Sequence, residues 1–273
     1  MQPVSTDHDK FVTQIVDPAL IALALRKAFG GIQAVSDSTF AVPSGKISAL
    51  IGPNGAGKST VVSIIAGALR ADGGKVRLGE VDITGWPSNR VASAGLIRTF
   101  QLSRELGRLT VLENLMVTPQ GQLGESLPNI FFRPGAIVRQ ERENLERALD
   151  ILDTYGLYEL RDSYAQELSG GQKRLLELAR AVMAGPRVLL LDEPMAGINP
   201  ALIDRIGDHI VRLPEQGVTV LMVEHNLQVV ERICEHVIVM AEGRTLATGR
   251  MSELRAMPEV VQAYLGGELI ESA

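Results

Sequence analysis

A segment of nine residues in the first quarter of the chain combines glycines with a lysine and two hydroxyl side chains. Its pattern is G-x-x-x-x-G-K-[ST], in which the glycines allow backbone N–H groups to converge on phosphate oxygens. The lysine can reach the β- and γ-phosphates, the serine can coordinate Mg²⁺, and the threonine lies near the α-phosphate. The pattern therefore predicts binding of a nucleoside triphosphate with Mg²⁺, without selecting one reaction. The residues of this segment are Gly52, Pro53, Asn54, Gly55, Ala56, Gly57, Lys58, Ser59 and Thr60.

Two carboxylates follow an apolar segment much further along the chain. Residues 188–191 are Val-Leu-Leu-Leu, which is typical of a strand buried on both faces of a sheet. A carboxylate at the end of such a strand can meet Mg²⁺ at the phosphate-binding segment, and Asp192 fits that role. Glu193 points elsewhere and is the candidate to orient or deprotonate an attacking water. Alone, the same sequence often marks only a strand that enters a loop, but the preceding phosphate-binding pattern favours the metal and water roles.

The strand and helix patterns around these residues predict a parallel sheet. Residues 47–51 predict a strand that runs directly into the phosphate-binding segment, and residues 59–69 predict the helix that follows it. After Gly185 the strand and helix patterns alternate, which predicts a mostly parallel sheet flanked by helices. These alternating segments are residues 188–191, 201–213, 218–223, 227–233 and 237–240.

Two other regions depart from this alternation. Residues 72–83 predict a β-hairpin whose turn is set by Asp72-Gly73-Gly74. Residues 111–166 have a helical pattern and form an insert between the two halves of the sheet. In this insert, apolar residues recur at helical spacing and are interpreted as the buried face of a packed helix. They are Val138, Leu145, Leu149, Leu152 and Tyr155.

The composition narrows the class of protein. The 273 residues suffice for one large α/β domain or for a domain with a subsidiary lobe. A net charge of −5 weighs against general nucleic-acid binding, which favours a basic surface. The single cysteine, Cys234, excludes an intramolecular disulfide and is interpreted as a structural thiol. No apolar segment approaches the roughly 20 residues that cross a bilayer, and the first residues lack a secretory pattern. A soluble protein is therefore expected, and any membrane role requires a partner.

A short segment at residues 168–172, Leu-Ser-Gly-Gly-Gln, resembles the signature of ABC-type ATPases. Its hydroxyl and glycine amides lie at the start of a predicted helix that runs to about Ala184, where an anion is favoured. In this family the signature caps the γ-phosphate of ATP held by a partner cassette. The resemblance therefore implies a dimer, formed with a second copy of the chain or with a homologous ATPase subunit. The implied ATP-binding residues are Ser169, Gly170, Gly171 and Gln172.

Other positions resemble the family one by one. Gln101, in Arg-Thr-Phe-Gln, matches a glutamine that contacts Mg²⁺ or water and carries the response to the membrane partner. His225 matches the histidine that binds the γ-phosphate, and Phe29 matches an aromatic residue that stacks on adenine, although an ordinary packed phenylalanine is an equal alternative. Asn199 replaces an aspartate that is common in the loop that crosses the dimer interface. The implied catalytic residues are Glu193, His225 and Gln101, and the implied metal ligands are Ser59, Gln101 and Asp192.

The resemblance also implies a fold and a division of the chain. The expected fold is an α/β P-loop NTPase cassette with a mostly parallel core sheet, an antiparallel β subdomain and an inserted helical subdomain. Residues 1–18 are expected to form a flexible extension, and residues 268–273 a C-terminal tail. Residues 19–267 are expected to form the ATP-binding domain, with its helical subdomain at about residues 105–183.

A narrower resemblance suggests a particular kind of transporter. The segments at residues 98–101, 109–114, 196–200 and 261–266 are similar to those of the ATPases of branched-chain amino-acid importers. This implies peripheral attachment to the cytoplasmic face of the plasma (inner) membrane, through permease subunits and indirectly a solute-binding protein. No nucleic-acid partner is expected. Residues 102–135 are a candidate groove for a permease helix, although their apolar side chains could equally pack within the lobe.

Three alternatives remain at the level of sequence. Amide, urea and other amino-acid importers share the same short motifs. The lipopolysaccharide-export ATPase also has a phosphate-binding segment and a similar signature, although Asn199 and the Arg-Thr-Phe-Gln segment weigh against it. A non-transport ABC ATPase acting on DNA or ribosomes belongs to a different class, whose usual coiled coils, tandem cassettes or basic linkers are not evident here.

Overall fold

The computed structural model describes residues 10–13, 15–99, 106–125 and 127–265. The chain divides into two compact units. The first unit contains residues 1–98, 187–197 and 207–273, and the second contains residues 99–186 and 198–206.

The first unit is built on a mixed sheet of ten strands in the order β5-β4-β1-β2-β10-β9-β3-β8-β7-β6. The strands β9, β3, β8, β7 and β6 are parallel to one another, whereas β1, β2, β4 and β5 pair in antiparallel fashion. A parallel pairing between β10 and β2 joins these two parts. The strands are β1 (Pro18–Phe29), β2 (Ile32–Pro43), β3 (Ile47–Ile51), β4 (Gly73–Leu78), β5 (Val81–Asp82), β6 (Leu96–Arg98), β7 (Val188–Asp192), β8 (Thr219–Val223), β9 (His236–Ala241) and β10 (Arg244–Gly249).

The central strands confirm the prediction of a mostly parallel core. All five residues of β3 and all five of β8 are buried, as expected for strands covered on both faces. Leu50 and Asp192 both lie beside Val223, so the carboxyl ends of β3, β7 and β8 meet at one edge of the sheet. The loops that leave this edge carry the phosphate-binding segment, the two acids and His225.

The helices flank the sheet or form the second unit. The α-helices are α1 (Lys10–Thr13), α2 (Lys58–Ile65), α3 (Ser88–Ser93), α4 (Val111–Met116), α5 (Leu127–Phe132), α6 (Pro134–Thr154), α7 (Gly170–Met183), α8 (Pro200–Val211), α9 (Leu227–Ile233), α10 (Met251–Leu254) and α11 (Pro258–Leu265). Short 3₁₀ helices span Leu123–Glu125, Tyr158–Leu160, Ala165–Glu167 and Pro214–Gln216. Within the described ranges, none of the helices combines the length and the apolar character needed to cross a membrane.

The predicted hairpin is present, but its turn was placed wrongly. Gly73 and Gly74 begin β4 instead of reversing the chain, and the connection to β5 is made at residues 79–80. Gly74 has φ of +94°, and a Cβ there would lie 2.5 Å from the Ala24 carbonyl oxygen of β1. The glycine therefore serves close approach to an irregular part of β1, where the strand register shifts, and not a turn.

The predicted buried face of α6 is only half correct. Leu152 and Tyr155 are buried and Leu149 is half-buried, but Val138 is 57% exposed and Leu145 is 38% exposed. The helix has 21 residues, whereas α4 and α7, which pack against it, have 6 and 14 residues. α5 and the 3₁₀ helix at residues 123–125 also contact α6, and the Leu123 N–H donates to the Gln140 side chain at 2.8 Å. Together these shorter neighbours still leave Val138 and Leu145 exposed.

The helix after the phosphate-binding segment is also shorter than predicted. The pattern predicted a helix to residue 69, but α2 ends at Ile65. Gly67 follows with φ of +69°, in the left-handed region that favours glycine and commonly ends helices. An added Cβ at Gly67 would meet the Trp86 carbonyl oxygen, so this glycine also permits close packing.

Candidate nucleotide site

A cavity of about 300 Å³ lies at the carboxyl edge of the parallel strands. Its walls are formed by Ala34, residues 54–60, Glu193 and His225, all of which belong to the first unit. The fold therefore brings the predicted phosphate-binding segment together with the predicted water-activating acid and the predicted γ-phosphate histidine. Ala34, on β2, is a wall residue that the sequence motifs did not indicate.

Lys58 is held inside the loop that carries it. Its Nζ donates hydrogen bonds to the carbonyl oxygens of Gly52, at 2.7 Å, and Pro53, at 3.0 Å. The residue is only 6% exposed. Burial lowers the pKa of the Lys58 ammonium, and the carboxylates of Glu193 and Asp192 oppose that shift. The lysine is thus a positive charge fixed at the wall of the cavity.

Two glycines bring the loop into contact with neighbouring strands. Gly57 has φ of +93°, and a Cβ there would lie 2.5 Å from the carbonyl oxygen of Ala34. A Cβ on Gly52 would overlap the carbonyl oxygen of Met240 on β9. The loop therefore lies against β2 and β9 at a distance that side chains would prevent. This contact places the first turn of α2, with Ser59 and Thr60, at the cavity.

Asp192 ends β7 and forms an ion pair with Arg98, which ends β6. The distance from Arg98 Nη2 to Asp192 Oδ2 is 2.7 Å, and both side chains are largely buried. Arg98 Nη1 also donates to the hydroxyl of Ser63 on α2, at 3.2 Å. In the sequence, Arg98 was indicated only as part of the Arg-Thr-Phe-Gln segment.

The oxygen ligands at this edge of the sheet fit Mg²⁺. The Asp192 carboxylate and the Ser59 hydroxyl are hard oxygen ligands of the kind that Mg²⁺ prefers in proteins, together with phosphate oxygens and water. Arg98 donates to Oδ2 of Asp192, and the carboxylate keeps further lone pairs that could bind a cation. The ion pair fixes the orientation of the carboxylate before any ligand binds.

Glu193 and His225 contact each other directly. The distance between His225 Nε2 and Glu193 Oε1 is 2.9 Å, and both side chains are half-exposed at the cavity. Glu193 has φ of +49°, which is uncommon for a residue with a side chain, and its N–H donates to the Val223 carbonyl oxygen at 2.9 Å. This left-handed backbone conformation turns the Glu193 side chain away from the direction of the strand.

The signature segment lies in the second unit at the start of α7. The Ser169 hydroxyl accepts from the Gln172 N–H at 3.3 Å, and the Gln172 side chain accepts from the Ser169 N–H at 2.9 Å. This reciprocal capping box fixes the first turn of the helix. Ser169 and Gly170 are exposed, and a Cβ on Gly171 would lie 2.7 Å from the Leu202 side chain. The exposed helix start can therefore receive an anion from outside the chain.

The remaining predicted residues have mixed placements. Phe29 lies at the end of β1, half-exposed, with Lys27 Nζ 5.5 Å from its ring centre, and it is not among the residues that line the cavity. Asn199 caps α8, because its side chain accepts from the Leu202 N–H at 2.9 Å. Gln101 lies outside the described residues, so its predicted metal and catalytic roles stay predictions.

Comparisons with known proteins agree with this geometry. The family model "ABC transporter" matches residues 35–196. The probable branched-chain amino acid transport ATP-binding protein LivG of Archaeoglobus fulgidus is 41% identical over 244 residues, covering 89% of this chain and 94% of that protein. The crystal structure of a nucleotide-free ATP-binding cassette from an ABC transporter is 37% identical, with a TM-score of 0.78, covering 92% of this chain and all of that chain.

A dimeric ATP-binding cassette in a post-hydrolysis state, bound to ADP and Pi, is also similar. It is 25% identical, with a TM-score of 0.69, covering 85% of this chain and 98% of that chain. The chain belongs to the ABC transporter family, in the group of its ATP-binding subunits that includes the branched-chain amino acid transport proteins. It is therefore an ATPase of the transport-coupled class, and the alternatives acting in lipopolysaccharide export or on DNA and ribosomes are not favoured.

Proposed function

We propose that this chain is the ATP-hydrolysing subunit of an importer that takes up branched-chain or related amino acids. It acts as one of two paired cassettes at the cytoplasmic face of the membrane, attached to permease subunits that receive cargo from a solute-binding protein. The observation that carries the hydrolytic part is the 2.9 Å contact between Glu193 and His225 at the cavity that Lys58 also lines. The similarity to LivG supports the choice of cargo.

The residues of the loop would bind the triphosphate. The backbone N–H groups of residues 54–60 and the start of α2 favour an anion, and Lys58 supplies the nearest fixed positive charge. Ser59 and Asp192 would hold Mg²⁺, with Gln101 as a further predicted ligand. When bound, Mg²⁺ would supply positive charge that offsets the negative charge of the phosphates. Arg98 keeps Asp192 oriented for that role, and Phe29 is proposed to contact the adenine.

The two side chains that contact each other would carry out the hydrolytic step. Glu193 accepts a proton from a water as the water oxygen attacks the γ-phosphorus, and the bond between the γ-phosphorus and ADP breaks. Phosphate and ADP leave, and the carboxyl group passes its proton to solvent or to the departing phosphate, which restores the base. His225 holds Glu193 in place through the shared hydrogen bond and contacts the γ-phosphate.

The pairing of two cassettes would complete the site. The exposed Ser169 hydroxyl and the glycine amides at the start of α7 would contact the γ-phosphate held by the partner, together with Gln172. ATP would touch both cassettes only in the closed pair, so its binding favours closure and its hydrolysis favours opening. The similarity to a dimeric cassette bound to ADP and Pi supports this arrangement.

The second unit offers a surface for the permease. Phe131 and Phe132 at the end of α5 are 78% and 84% exposed, and Ile130 is 45% exposed. Exposed adjacent aromatic residues are unusual in a protein without a partner and commonly mark an interaction surface. We assign this cluster, which falls within the groove region predicted from the sequence, to contact with a permease helix.

Replacing Phe131 and Phe132 together by serine is expected to detach the chain from its permeases. Burying one phenylalanine contributes roughly 1.5–3 kcal/mol, so losing two should weaken association by at least about 100-fold. The ATPase activity of the isolated cassette should stay unchanged, because neither residue lines the cavity. The measurement is the amount of permease that copurifies with the tagged protein.

The matched control is the pair Val81→Ser and Val211→Ser, which removes exposed apolar side chains of the first unit. This pair should leave copurification intact. If the phenylalanine variant retains its permeases while the control behaves as wild type, α5 is not the contact surface.

The proposed function as a whole is tested by purifying the tagged protein from gently solubilised native membranes and identifying its partners by mass spectrometry. Two multispanning permeases, a second ATPase subunit and a solute-binding protein are expected. The solute-binding protein should then bind leucine, isoleucine or valine in a calorimetric titration. Preference for an amide or for urea would contradict the proposed cargo. Recovery of a lipid-export bridge would contradict import, and recovery of ribosomes or DNA alone would contradict a role in transport.

A further inference from the structure

A buried carboxylate lies directly behind the Glu193–His225 contact. Glu224 follows β8, is only 4% exposed, and accepts hydrogen bonds from backbone N–H groups on two separate loops. Its Oε1 accepts from Met195 N–H at 2.9 Å, and its Oε2 accepts from His225 N–H at 3.1 Å and Asn226 N–H at 3.4 Å. An ionised glutamate has only acceptors, so it suits a position surrounded by donors.

These bonds close a ring that contains both residues of the proposed hydrolytic pair. Glu224 binds the backbone of His225 on one side and of Met195 on the other. Met195 is two residues beyond Glu193, whose carbonyl oxygen accepts from the Ala196 N–H at 3.1 Å. The 2.9 Å contact between the His225 and Glu193 side chains completes the ring. A movement of either loop is therefore transmitted to the other through Glu224.

The position of Glu224 carries an electrostatic cost that the N–H groups offset. Burial raises the pKa of its carboxyl group, the three backbone hydrogen bonds oppose that shift, and the nearby Glu193 carboxylate adds to it. Glu224 accepts hydrogen bonds from N–H groups on two loops. An apolar residue at this position would leave those N–H groups without acceptors.

We propose that Glu224 is a positioning residue that holds His225 and Glu193 at the spacing required to recognise and hydrolyse the γ-phosphate. It does not touch the nucleotide and acts through the backbones of His225 and Met195. This inference rests on the proposed roles of His225 and Glu193. The proposal predicts an effect on ATP and not on ADP, because only ATP has the γ-phosphate that His225 is proposed to contact.

The test is Glu224→Gln, which keeps the shape but places an amide NH₂ where one oxygen accepts hydrogen bonds. At least one N–H group then faces a donor, and one side of the ring is broken. The affinity for a non-hydrolysable ATP analogue should fall about 10-fold and kcat about 10- to 100-fold, as expected for loss of a bond to a charged group. The affinity for ADP should stay within about 2-fold. Calorimetry measures both affinities, and phosphate release gives kcat.

A double-mutant cycle with His225→Ala separates positioning from a general loss of structure. If Glu224 acts through His225, adding Glu224→Gln to His225→Ala should cause little further loss of analogue affinity, because effects on coupled residues do not add. Fully additive losses, or equal losses for the analogue and ADP, would overturn the inference. Glu215→Gln, at an exposed site, is the matched control and should behave as wild type.

Two outcomes keep this inference separate from the proposed function. If His225→Ala itself leaves the preference for the analogue over ADP intact, the role proposed for His225 is wrong. If His225→Ala removes that preference and Glu224→Gln does not, only the role of Glu224 is wrong. Should the glutamine variant fail to fold, Glu224→Asp retains the charge but is too short to reach both loops, and it should show the same selective loss.

Discussion

Glu193→Gln is expected to lower ATP turnover by about 100- to 10,000-fold, the usual contribution of a general base. The amide cannot accept the proton of the attacking water, although its oxygen can still face His225 Nε2, 2.9 Å away in the wild type. ATP binding should be retained, because Lys58 and the backbone amides of the loop are untouched. Unhydrolysed ATP would then hold two cassettes closed, so the variant should become a dimer when ATP and Mg²⁺ are added.

Three measurements check this expectation. Phosphate release gives turnover, calorimetry gives ATP affinity, and light scattering after size exclusion gives the mass with and without ATP. Glu80→Gln is the matched control, since Glu80 is an exposed acid whose partner is the nearby Arg77. Turnover like that of wild type would remove Glu193 from the proposed role. Loss of ATP affinity would show that the substitution disturbs the loop and not the chemical step.

The parts of this site that the sequence predicted depend on local patterns. The β3 strand and the glycine-rich loop are adjacent in sequence, so the pattern alone places Lys58 and Ser59 at the end of a buried strand. The α9 helix was predicted with its observed bounds of residues 227–233, and in the structure the Asn226 side chain caps its first turn. Such features need no knowledge of which strands are neighbours.

The parts that the sequence did not predict depend on strand order and on register. Arg98 meets Asp192 only because β6 pairs with β7, with Arg98 beside Leu190, and nothing in the local sequence specifies that pairing. The link from Glu224 to Met195 arises in the same way, since β8 lies beside β7. Arg98 and Glu224 are both charged residues that segments distant in sequence bury. The local sequence pattern indicates only that they are polar.

The exposed part of α6 shows a case in which the sequence pattern predicted burial that the structure does not have. Val138 continues a helical apolar pattern, yet it is 57% exposed, although α5 and the 3₁₀ helix at Leu123–Glu125 contact α6 near this position. Sequence periodicity reports that a face is apolar, but not whether its cover belongs to the same chain. In a subunit that is proposed to bind a permease, the exposed apolar side chains of Val138 and Leu145 are consistent with the surface assigned to Phe131 and Phe132.

Lys58→Ala is expected to weaken ATP binding itself. The variant removes the positive charge closest to the proposed β- and γ-phosphate positions, and it also removes the two hydrogen bonds to the Gly52 and Pro53 carbonyl oxygens. Loss of a contact between the Lys58 ammonium and charged phosphate oxygens should cost about 1.5–3 kcal/mol, so ATP affinity should fall about 10- to 100-fold. Turnover at subsaturating ATP should fall at least as far. Calorimetric titration with ATP and Mg²⁺ gives the affinity directly.

Comparison of two variants separates the charge of Lys58 from its contacts within the loop. Lys58→Met keeps most of the buried stem but not the ammonium, so it should lose as much ATP affinity as Lys58→Ala if charge dominates. If the alanine variant binds ATP far more weakly than the methionine variant, the packing of the Lys58 stem inside the loop contributes separately to ATP affinity. Lys75→Ala, at an exposed position on β4, is the control for removing one positive charge from the surface. Wild-type ATP affinity in both Lys58 variants would contradict the phosphate-binding role, because a buried ammonium at the cavity wall must then serve only the loop.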